Sequence, residues 1–222
     1  MNFKEHIDSD NNLTLIRNQI LDLEIKSYLV GGYVRDLLIN RECKDIDIMT
    51  IGEPYELVKK IAVQKGFSDF KIFKNFGTAS LNFKKFNYEF VGARKESYKK
   101  NSRNPDVSPG LFDDDMKRRD FTINALSVSM NKDYGELLDP FNGIEDLKNK
   151  LIRTCAEPNK TFDDDPLRMM RAIRFASQLN FDIEESTFKS ICDNAQRIEI
   201  ISQERITDEL NKIILSDKPS YG

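Results

Sequence analysis

The sequence predicts an α+β protein with a small mixed sheet and helices in its head, followed by an all-α neck. Two kinds of strand pattern alternate with helical patterns early in the chain: YLVGG is a short apolar run that ends in two glycines, and DIDIMT alternates polar and apolar residues. From about residue 143 the apolar residues recur at helical spacing. We therefore expect a head domain at residues 1–150 and a helical neck at residues 151–222.

Individual elements follow from periodicity and from glycine and proline positions. PYELVKKIAVQKG at residues 54–66 predicts a helix with Pro54 near its start and Gly66 after its end. Residues 94–112 are polar and contain two prolines and a glycine, which predicts a long loop. The other predicted helices are at 13–25, 34–40, 165–179, 184–196 and 202–215, and the predicted strands are at 28–32, 45–50, 78–83 and 88–93.

Composition limits the chemistry and the location of the protein. The chain has 222 residues, a net charge of −3, three separated cysteines and one histidine, His6. A single histidine excludes a site with several histidine ligands, so the chemistry must use carboxylates, cationic side chains and the backbone. No apolar run approaches the roughly 18 residues that cross a bilayer. These features predict a reduced, cytoplasmic protein with no membrane partner.

The sequence GGYVRD followed by DID predicts a site for a metal and a triphosphate. On a strand, Asp45 and Asp47 point to the same face, where two carboxylates repel each other unless a cation lies between them. Mg²⁺ takes such oxygen ligands together with substrate phosphates. A turn at Gly31 and Gly32 lets the backbone approach phosphate, the following helix start adds a favourable dipole, and Arg35 can neutralise phosphate oxygens.

Glu89 leaves two interpretations open. It lies on the predicted strand YEFVGA and could supply a third carboxylate to the same site. An outward-facing strand residue with no role in chemistry fits the pattern equally well.

A second candidate segment is RRDFTINAL at residues 118–126. Its two arginines and one aspartate could form a buried salt-bridged hub, or could grip ribose and triphosphate. The position after a long loop favours a site role for Arg119, whereas Asp120 and Asn124 are expected to be scaffolding.

A third candidate segment is DDPLRMMRAIRF at residues 164–175. Asp165 and Arg168 are three residues apart, which on a helix would make them an ion pair. The alternative is that the pair reads a base. Cytosine and adenine present an amino group beside a ring acceptor, which matches a carboxylate beside a guanidinium. Guanine and uracil present a carbonyl there and would leave the carboxylate unpaired.

Taken together, these motifs resemble the class II tRNA nucleotidyltransferases, also known as CCA-adding enzymes, and their bacterial poly(A) polymerase relatives. The resemblance rests on LVGGYVRD…KDIDI, RRDFTINAL, DPFNGIEDLKNKLIRT, DDPLRMMRAIRF and ERITDELNKIIL. These motifs occur in the family's order and cover most of the chain. Asp164 stands where the family usually has glutamate, a conservative change.

The resemblance implies a polymerase-β-like nucleotidyltransferase head and a set of residue roles. In these roles Asp45 and Asp47 are catalytic and hold Mg²⁺, Gly32 and Arg35 contact the nucleotide, and Arg119 contacts ribose and phosphates. Asp165 and Arg168 read the base, while Arg171 and Arg174 support the nucleotide pocket. The stretch 94–112 resembles the family's flexible loop, which is linked to switching from CTP to ATP.

The implied activity is template-independent addition of CMP and AMP from CTP and ATP to the 3′ end of tRNA, with release of pyrophosphate. Alternatives are a poly(A) polymerase, a partial CC- or A-adding enzyme, and a non-catalytic nucleotide- or RNA-binding module. Poly(A) polymerases of this family typically carry a basic G-[RK]-[RK]-F-like segment where this chain reads KNFGTASLNF, which favours CCA addition. Family members usually continue into regions that hold the tRNA, so the chain is expected to be truncated. Its oligomeric state is not indicated.

Overall fold

The computed structural model describes residues 1–66, 70–83, 85–97 and 105–221. Within them the chain forms two compact units. The head unit comprises the stretches Met1–Lys95, Ser108–Met116 and Leu126–Pro140, and the helical unit comprises the rest. The units differ from the predicted domains because Lys117–Ala125 and the residues just after Pro140 group with the helices. A domain boundary at residue 150 therefore stays a prediction.

The first half of the chain alternates helices and strands, as the sequence predicts. In order they are α1 Lys4–Ser9, α2 Asn11–Asp22, β1 Ser27–Val30, α3 Gly32–Leu38, β2 Asp45–Thr50, α4 Tyr55–Lys65, β3 Phe70–Phe73, β4 Thr78–Phe83, β5 Phe86–Gly92, β6 Arg94–Ser97, β7 Asp106–Pro109, α5 Phe112–Lys117, β8 Ser127–Ser129 and β9 Leu137–Leu138.

The head is built on a seven-stranded mixed sheet in the order β3-β4-β5-β2-β1-β8-β9. Strands β2 and β5 are parallel, and the other neighbours are antiparallel. One face of the sheet is buried, with Ile46 and Ile48 of β2 at 1% and 0% exposure. Helix α4 packs against β4 and contacts α2. The predicted α+β fold with a mixed sheet is confirmed.

The predicted loop at residues 94–112 is wrong at both of its ends. Residues 94–97 and 106–109 form strands β6 and β7, which pair in a separate two-stranded sheet. Their residues are mostly polar and are half or fully exposed, so the sequence shows no alternating apolar pattern at these strands. The central part of that stretch, 98–104, lies outside the described residues.

The second half of the chain is helical apart from one short strand pair. Its elements are α6 Gly143–Asn149, β10 Leu151–Ile152, α7 Pro158–Asp164, α8 Leu167–Leu179, β11 Asp182–Ile183, α9 Glu185–Asn194 and α10 Gln203–Ile214. Helix α8 packs against α10, and α7 packs against α9. The parallel pair β10–β11 departs from an all-α neck, since two residues are too few to show a strand period. No helix among the described residues is both long and apolar enough to span a bilayer.

Helix α9 begins at a side-chain cap that should be a measurable source of stability. The Glu184 carboxylate accepts hydrogen bonds from the Thr187 amide at 2.9 Å and the Ser186 hydroxyl at 2.7 Å. Burial opposes its ionisation, but these hydrogen bonds dominate and lower the pKa of Glu184 to about 2.

We expect Glu184→Ala to lower the free energy of unfolding by about 1–2 kcal/mol, since it removes the cap from orphan helix donors. Chemical denaturation followed by circular dichroism would measure the loss. The neighbouring Glu185 is exposed in the first turn of the same helix. Glu185→Ala is therefore the control, and an equal loss in both variants would show that the cap is not the cause.

Candidate functional site

The head unit carries a pair of aspartates on the open face of β2. Asp45 is exposed and Asp47 half-buried, whereas Ile46 between them is buried. The predicted same-face arrangement therefore forms because alternate residues of a strand point to opposite faces. The Asn87 amide donates a hydrogen bond to Asp45 at 3.4 Å across the parallel pair.

Glu89 lies directly opposite Asp47 in the register of β2 and β5, and it is exposed. Register partners share a face of a sheet, so the candidate third carboxylate stands on the side of the two aspartates. Within the described ranges, no three or more acidic, cysteine or histidine side chains stand close enough to hold a cation by themselves. A donor set of two carboxylates fits Mg²⁺, which completes its coordination with phosphate and water oxygens.

A glycine turn borders the aspartates. Val30 at the end of β1 is paired with Asp47, so the antiparallel chain continues along the Asp45 end of β2. Gly31 follows with φ 72° and ψ −137°, a conformation that favours glycine, and its amide donates to the Leu126 carbonyl at 3.1 Å. The turn therefore brings backbone close to the carboxylates without a side chain in between.

Arg35 is buried directly below this turn. A Cβ atom placed on Gly32 would lie 3.5 Å from the Arg35 guanidinium. The guanidinium contacts the Asp36 carboxylate at 2.9 Å, and its side chain is 7% exposed. Direct contact between Arg35 and a nucleotide stays a prediction. The Asp36 carboxylate balances part of the positive charge that Arg35 would present to phosphate.

The RRD segment is the centre of the polar cluster in the helical unit. Asp120 is buried and accepts hydrogen bonds from the Asn124 amide at 3.0 Å and from Arg171 Nε at 2.7 Å. Burial opposes ionisation of Asp120, but the Arg171 charge and these hydrogen bonds lower its pKa to about 2. Asp120 in turn raises the pKa of Arg171. The geometry fits a scaffolding role for Asp120 and Asn124.

Arg119 is half-buried beside this cluster, and its guanidinium donates to the Asn124 carbonyl at 3.2 Å. Arg168 reaches the same segment from α8, because its Nη2 donates to the Arg118 carbonyl at 2.8 Å. These contacts fix the segment against the start of α8, so the structure brings Arg119, Arg168 and Arg171 together around one backbone stretch.

Asp165 is held by partners other than Arg168. It ends α7 with φ −142° and ψ 100°, and its carboxylate accepts from the Leu167 amide at 3.1 Å. Its other oxygen lies 3.7 Å from Arg205 on α10. The ion pair between Asp165 and Arg168 that helical spacing suggested does not form. Asp165 lies outside the helix, so helical spacing does not apply to it.

Arg174 is placed differently from the other predicted site residues. It is 9% exposed and contacts the buried Glu209 carboxylate at 3.2 Å, with its guanidinium 4.3 Å from the centre of the Phe175 ring. Support of the nucleotide pocket by Arg174 stays a prediction. Its contacts here join α8 to α10.

The sequence interpretation missed Arg205. It lies in ERITDELNKIIL, a motif that carries the family resemblance, but its partner Asp165 is 40 residues away along the chain. Nothing in local spacing connects the two, so the motif match was the only signal that could have drawn attention to it.

Comparisons with known proteins agree with these motifs. The family described as "Poly A polymerase head domain" matches residues 27–153, and "Probable RNA and SrmB- binding site of polymerase A" matches residues 180–222. The CCA-adding enzyme of Lactobacillus helveticus (strain DPC 4571) is 42% identical over 196 residues, which are 86% of this chain and 47% of that protein. The A-adding tRNA nucleotidyltransferase of Aquifex aeolicus (strain VF5) is 43% identical over 74% of this chain and 20% of that protein.

Solved structures give the same result. A tRNA nucleotidyltransferase complexed with a primer tRNA and an incoming ATP analogue superposes with a TM-score of 0.81 and 35% identity, over 93% of this chain and 58% of that one. A CCA-adding enzyme in an apo form superposes with a TM-score of 0.87 and 31% identity, over 100% of this chain and 54% of that one. The chain spans about half the length of several curated relatives that it matches. It belongs to the poly(A) polymerase head-domain family, as its motifs predict.

Proposed function

We propose that this chain transfers CMP and AMP from CTP and ATP to the 3′ end of tRNA without a template, releasing pyrophosphate. The observation that carries the proposal is the placement of Asp45 and Asp47 on one open sheet face beside the Gly31 turn. Relatives named as CCA-adding enzymes, at 42% and 38% identity, support this choice of substrate. Its three free cysteines suit a reducing compartment, and we propose the cytoplasm as its place of action.

In the proposed reaction the terminal 3′-hydroxyl of the RNA attacks the α-phosphate of the nucleotide. A bond forms between that oxygen and phosphorus, the bond to the β-phosphate oxygen breaks, and the hydroxyl proton leaves to solvent. Asp45 and Asp47 would hold Mg²⁺, which when bound supplies charge neutralisation for the attacking and leaving oxygens. The glycine turn would position the triphosphate, and Arg119 would bind ribose and phosphate oxygens.

Base choice in this proposal depends on Asp165 and Arg168. The Asp165 carboxylate would accept a hydrogen bond from the amino group of cytosine or adenine, and Arg168 would donate to the neighbouring ring nitrogen. The two terminal nitrogens of the Arg168 guanidinium already donate to the main-chain carbonyls of Arg118 and Thr161, at 2.8 and 3.5 Å. Arg205 lies beside the outer oxygen of Asp165. Each side chain is therefore oriented before a nucleotide arrives.

We expect Asp165→Ala to lower the preference for CTP over UTP about tenfold or more, since the discriminating hydrogen bond is lost. Arg205→Ala should relax the same preference to a smaller degree, because it only orients Asp165. The measurement is the ratio of kcat/KM for the four nucleotides. Arg197 forms an equivalent ion pair with the exposed Asp163 at 3.0 Å, so Arg197→Ala is the control. Unchanged discrimination in Asp165→Ala would contradict the base-reading role.

A second candidate is addition of A alone, or of a poly(A) tract, on the same scaffold. It is favoured by the A-adding relative, which is 43% identical over 74% of this chain. The residues that bind metal and triphosphate would serve either reaction. The two candidates differ in which nucleotides are used and in where addition stops.

The test is incorporation of labelled CTP and ATP, with Mg²⁺, into tRNA ending at the discriminator base, with products resolved on a gel. Addition of C, C and A that then stops would support the proposal. A product extended only by A would favour the second candidate. Mg²⁺-dependent CTP binding without any product would mean that this chain needs additional residues to hold tRNA.

A further inference from the structure

The open face of the head sheet continues beyond the carboxylates to the outer strand. Asp47 is paired with Glu89, Glu89 with Ser80, and Ser80 with Lys71, in one row across β2, β5, β4 and β3. Register partners share a face, so all four side chains stand on the same side. Strands lie about 4.8 Å apart, so the row extends roughly 14 Å from Asp47 to the edge strand β3.

The outer strand β3 and the turn that follows it carry exposed aromatic and cationic side chains in alternation. Phe73 is 45% exposed and Phe76 is 70% exposed, and both Lys71 and Lys74 are exposed. Single exposed apolar residues are common on protein surfaces. Two phenylalanines interleaved with two lysines within six residues form a more specific pattern. Aromatic rings stack with bases, and lysines pair with the phosphates of a single strand.

This edge is held rigidly although its side chains are exposed. The residues Lys74–Phe76 form a 3₁₀ turn, and the Tyr55 hydroxyl on α4 donates to the Lys74 carbonyl at 3.1 Å. Gly77 follows with φ 64°, and its carbonyl accepts from the Gly92 amide at 3.0 Å. Because the backbone is fixed, binding a ligand here would order little more than side chains.

The residues between the edge and the carboxylates also suit a nucleic acid. Ser80 and Thr78 are half-buried on β4, and Asn82 beside them is exposed. Small polar side chains can hydrogen-bond to sugar and phosphate oxygens without blocking the path. Lysine on an edge strand also discourages pairing with the edge of a second copy. Self-association through β3 is therefore the less favoured use of this edge.

We propose that the row from Asp47 to Lys71, together with Phe73 and Phe76, binds the single-stranded 3′ end of the RNA primer. The lysines contact phosphates, and the two rings stack against bases a few nucleotides before the reacting hydroxyl. Stacking tolerates any base, which suits a primer whose sequence varies. This inference rests on the proposed function, because the carboxylates define where the RNA must end.

The test is binding of a fluorescein-labelled RNA hairpin with a single-stranded 3′ end, followed by anisotropy, alongside Mg²⁺-dependent CTP binding by the same proteins. Phe73→Ala and Phe76→Ala should each weaken RNA binding about tenfold. Lys71→Ala should weaken RNA binding, and it should reduce the dependence of RNA affinity on salt concentration by the amount expected for about one phosphate contact. CTP binding should not change in any of the three variants.

Matched controls come from α4 of the same unit. Val63 is 82% exposed and Lys60 is exposed, so Val63→Ala and Lys60→Ala remove an apolar and a cationic side chain elsewhere on the head. Equal RNA affinity in the edge and control variants would overturn the proposal. So would CTP binding by a wild-type protein that does not bind RNA, an outcome that leaves the metal and triphosphate site standing. A change of oligomeric mass in the edge variants, with RNA binding intact, would assign the edge to self-association instead.

Discussion

Replacing Asp45 or Asp47 with asparagine is expected to lower the rate of nucleotide transfer by at least about 10³-fold, which corresponds to roughly 4 kcal/mol of transition-state stabilisation. Both carboxylates stand on the open face of β2. Without the negative charge of either carboxylate, the proposed metal site holds a cation much less tightly against the triphosphate. Asparagine keeps the shape of the side chain and removes only its charge.

The fold should survive these substitutions. Asp45 is exposed, and its carboxylate accepts a hydrogen bond from the Asn87 amide at 3.4 Å. We expect thermal unfolding of Asp45→Asn to match the wild type, and loss of activity to coincide with loss of Mg²⁺-dependent CTP binding. Asp133 is an exposed acid in the same unit, so Asp133→Asn is the control for charge alone. Near-normal transfer by either site variant would show that the metal assignment is wrong.

Glu89→Gln separates the two interpretations that the sequence left open for this residue. It lies opposite Asp47 in the register of β2 and β5, on the same face of the sheet. If Glu89 is a third metal ligand, Glu89→Gln should lower the transfer rate about as much as the aspartate variants do. If Glu89 only faces outward, the rate should change little. The same transfer assay decides between them, and CTP titration at several Mg²⁺ concentrations shows whether the loss is one of metal affinity.

Much of the fold could be predicted because periodicity is strong where one face of an element is buried. Strand β2 runs over Asp45–Thr50 as the alternation of DIDIMT predicts. Strand β8 escaped prediction because all three of its residues are buried, which removes the alternation. The helix predicted at 13–25 runs over Asn11–Asp22 in the structure, so it both begins and ends earlier in the chain than predicted. Asp10 caps it through the amides of Asn12 and Leu13, and Glu24 has φ 53°.

The site could be predicted only where its geometry is local. The common face of Asp45 and Asp47 follows from the two-residue period of one strand. The partners of Asp165 and Arg174 depend instead on how α10 packs on α8, since they are Arg205 and Glu209. Such contacts join residues tens of positions apart, and no window of sequence contains both members.

The largest effect on stability should come from Asp120. Asp120 is buried, and Arg171, whose side chain is 33% exposed, contacts its carboxylate at 2.5 Å. Removing Asp120 leaves the partly buried Arg171 charge without this partner, so Asp120→Ala should lower the free energy of unfolding by about 3 kcal/mol, the lower end for a buried pair. The exposed pair of Asp163 with Arg197 is the control, and Asp163→Ala should cost less than about 1 kcal/mol. Urea denaturation measures both.

The same carboxylate makes stability depend on acid in a defined direction. The folded-state pKa of Asp120 is lowered from 3.8 to about 2. A lowered pKa means that the unfolded chain binds the proton more tightly, so the contribution is fully present above pH 4 and is lost as pH falls towards 2. The difference is worth roughly 2 kcal/mol. The Asp120→Asn variant has no ionisable group at position 120, so its free energy of unfolding should fall less than that of the wild type between pH 4 and pH 2. Parallel curves over that interval would show that Asp120 does not retain its charge in the folded protein.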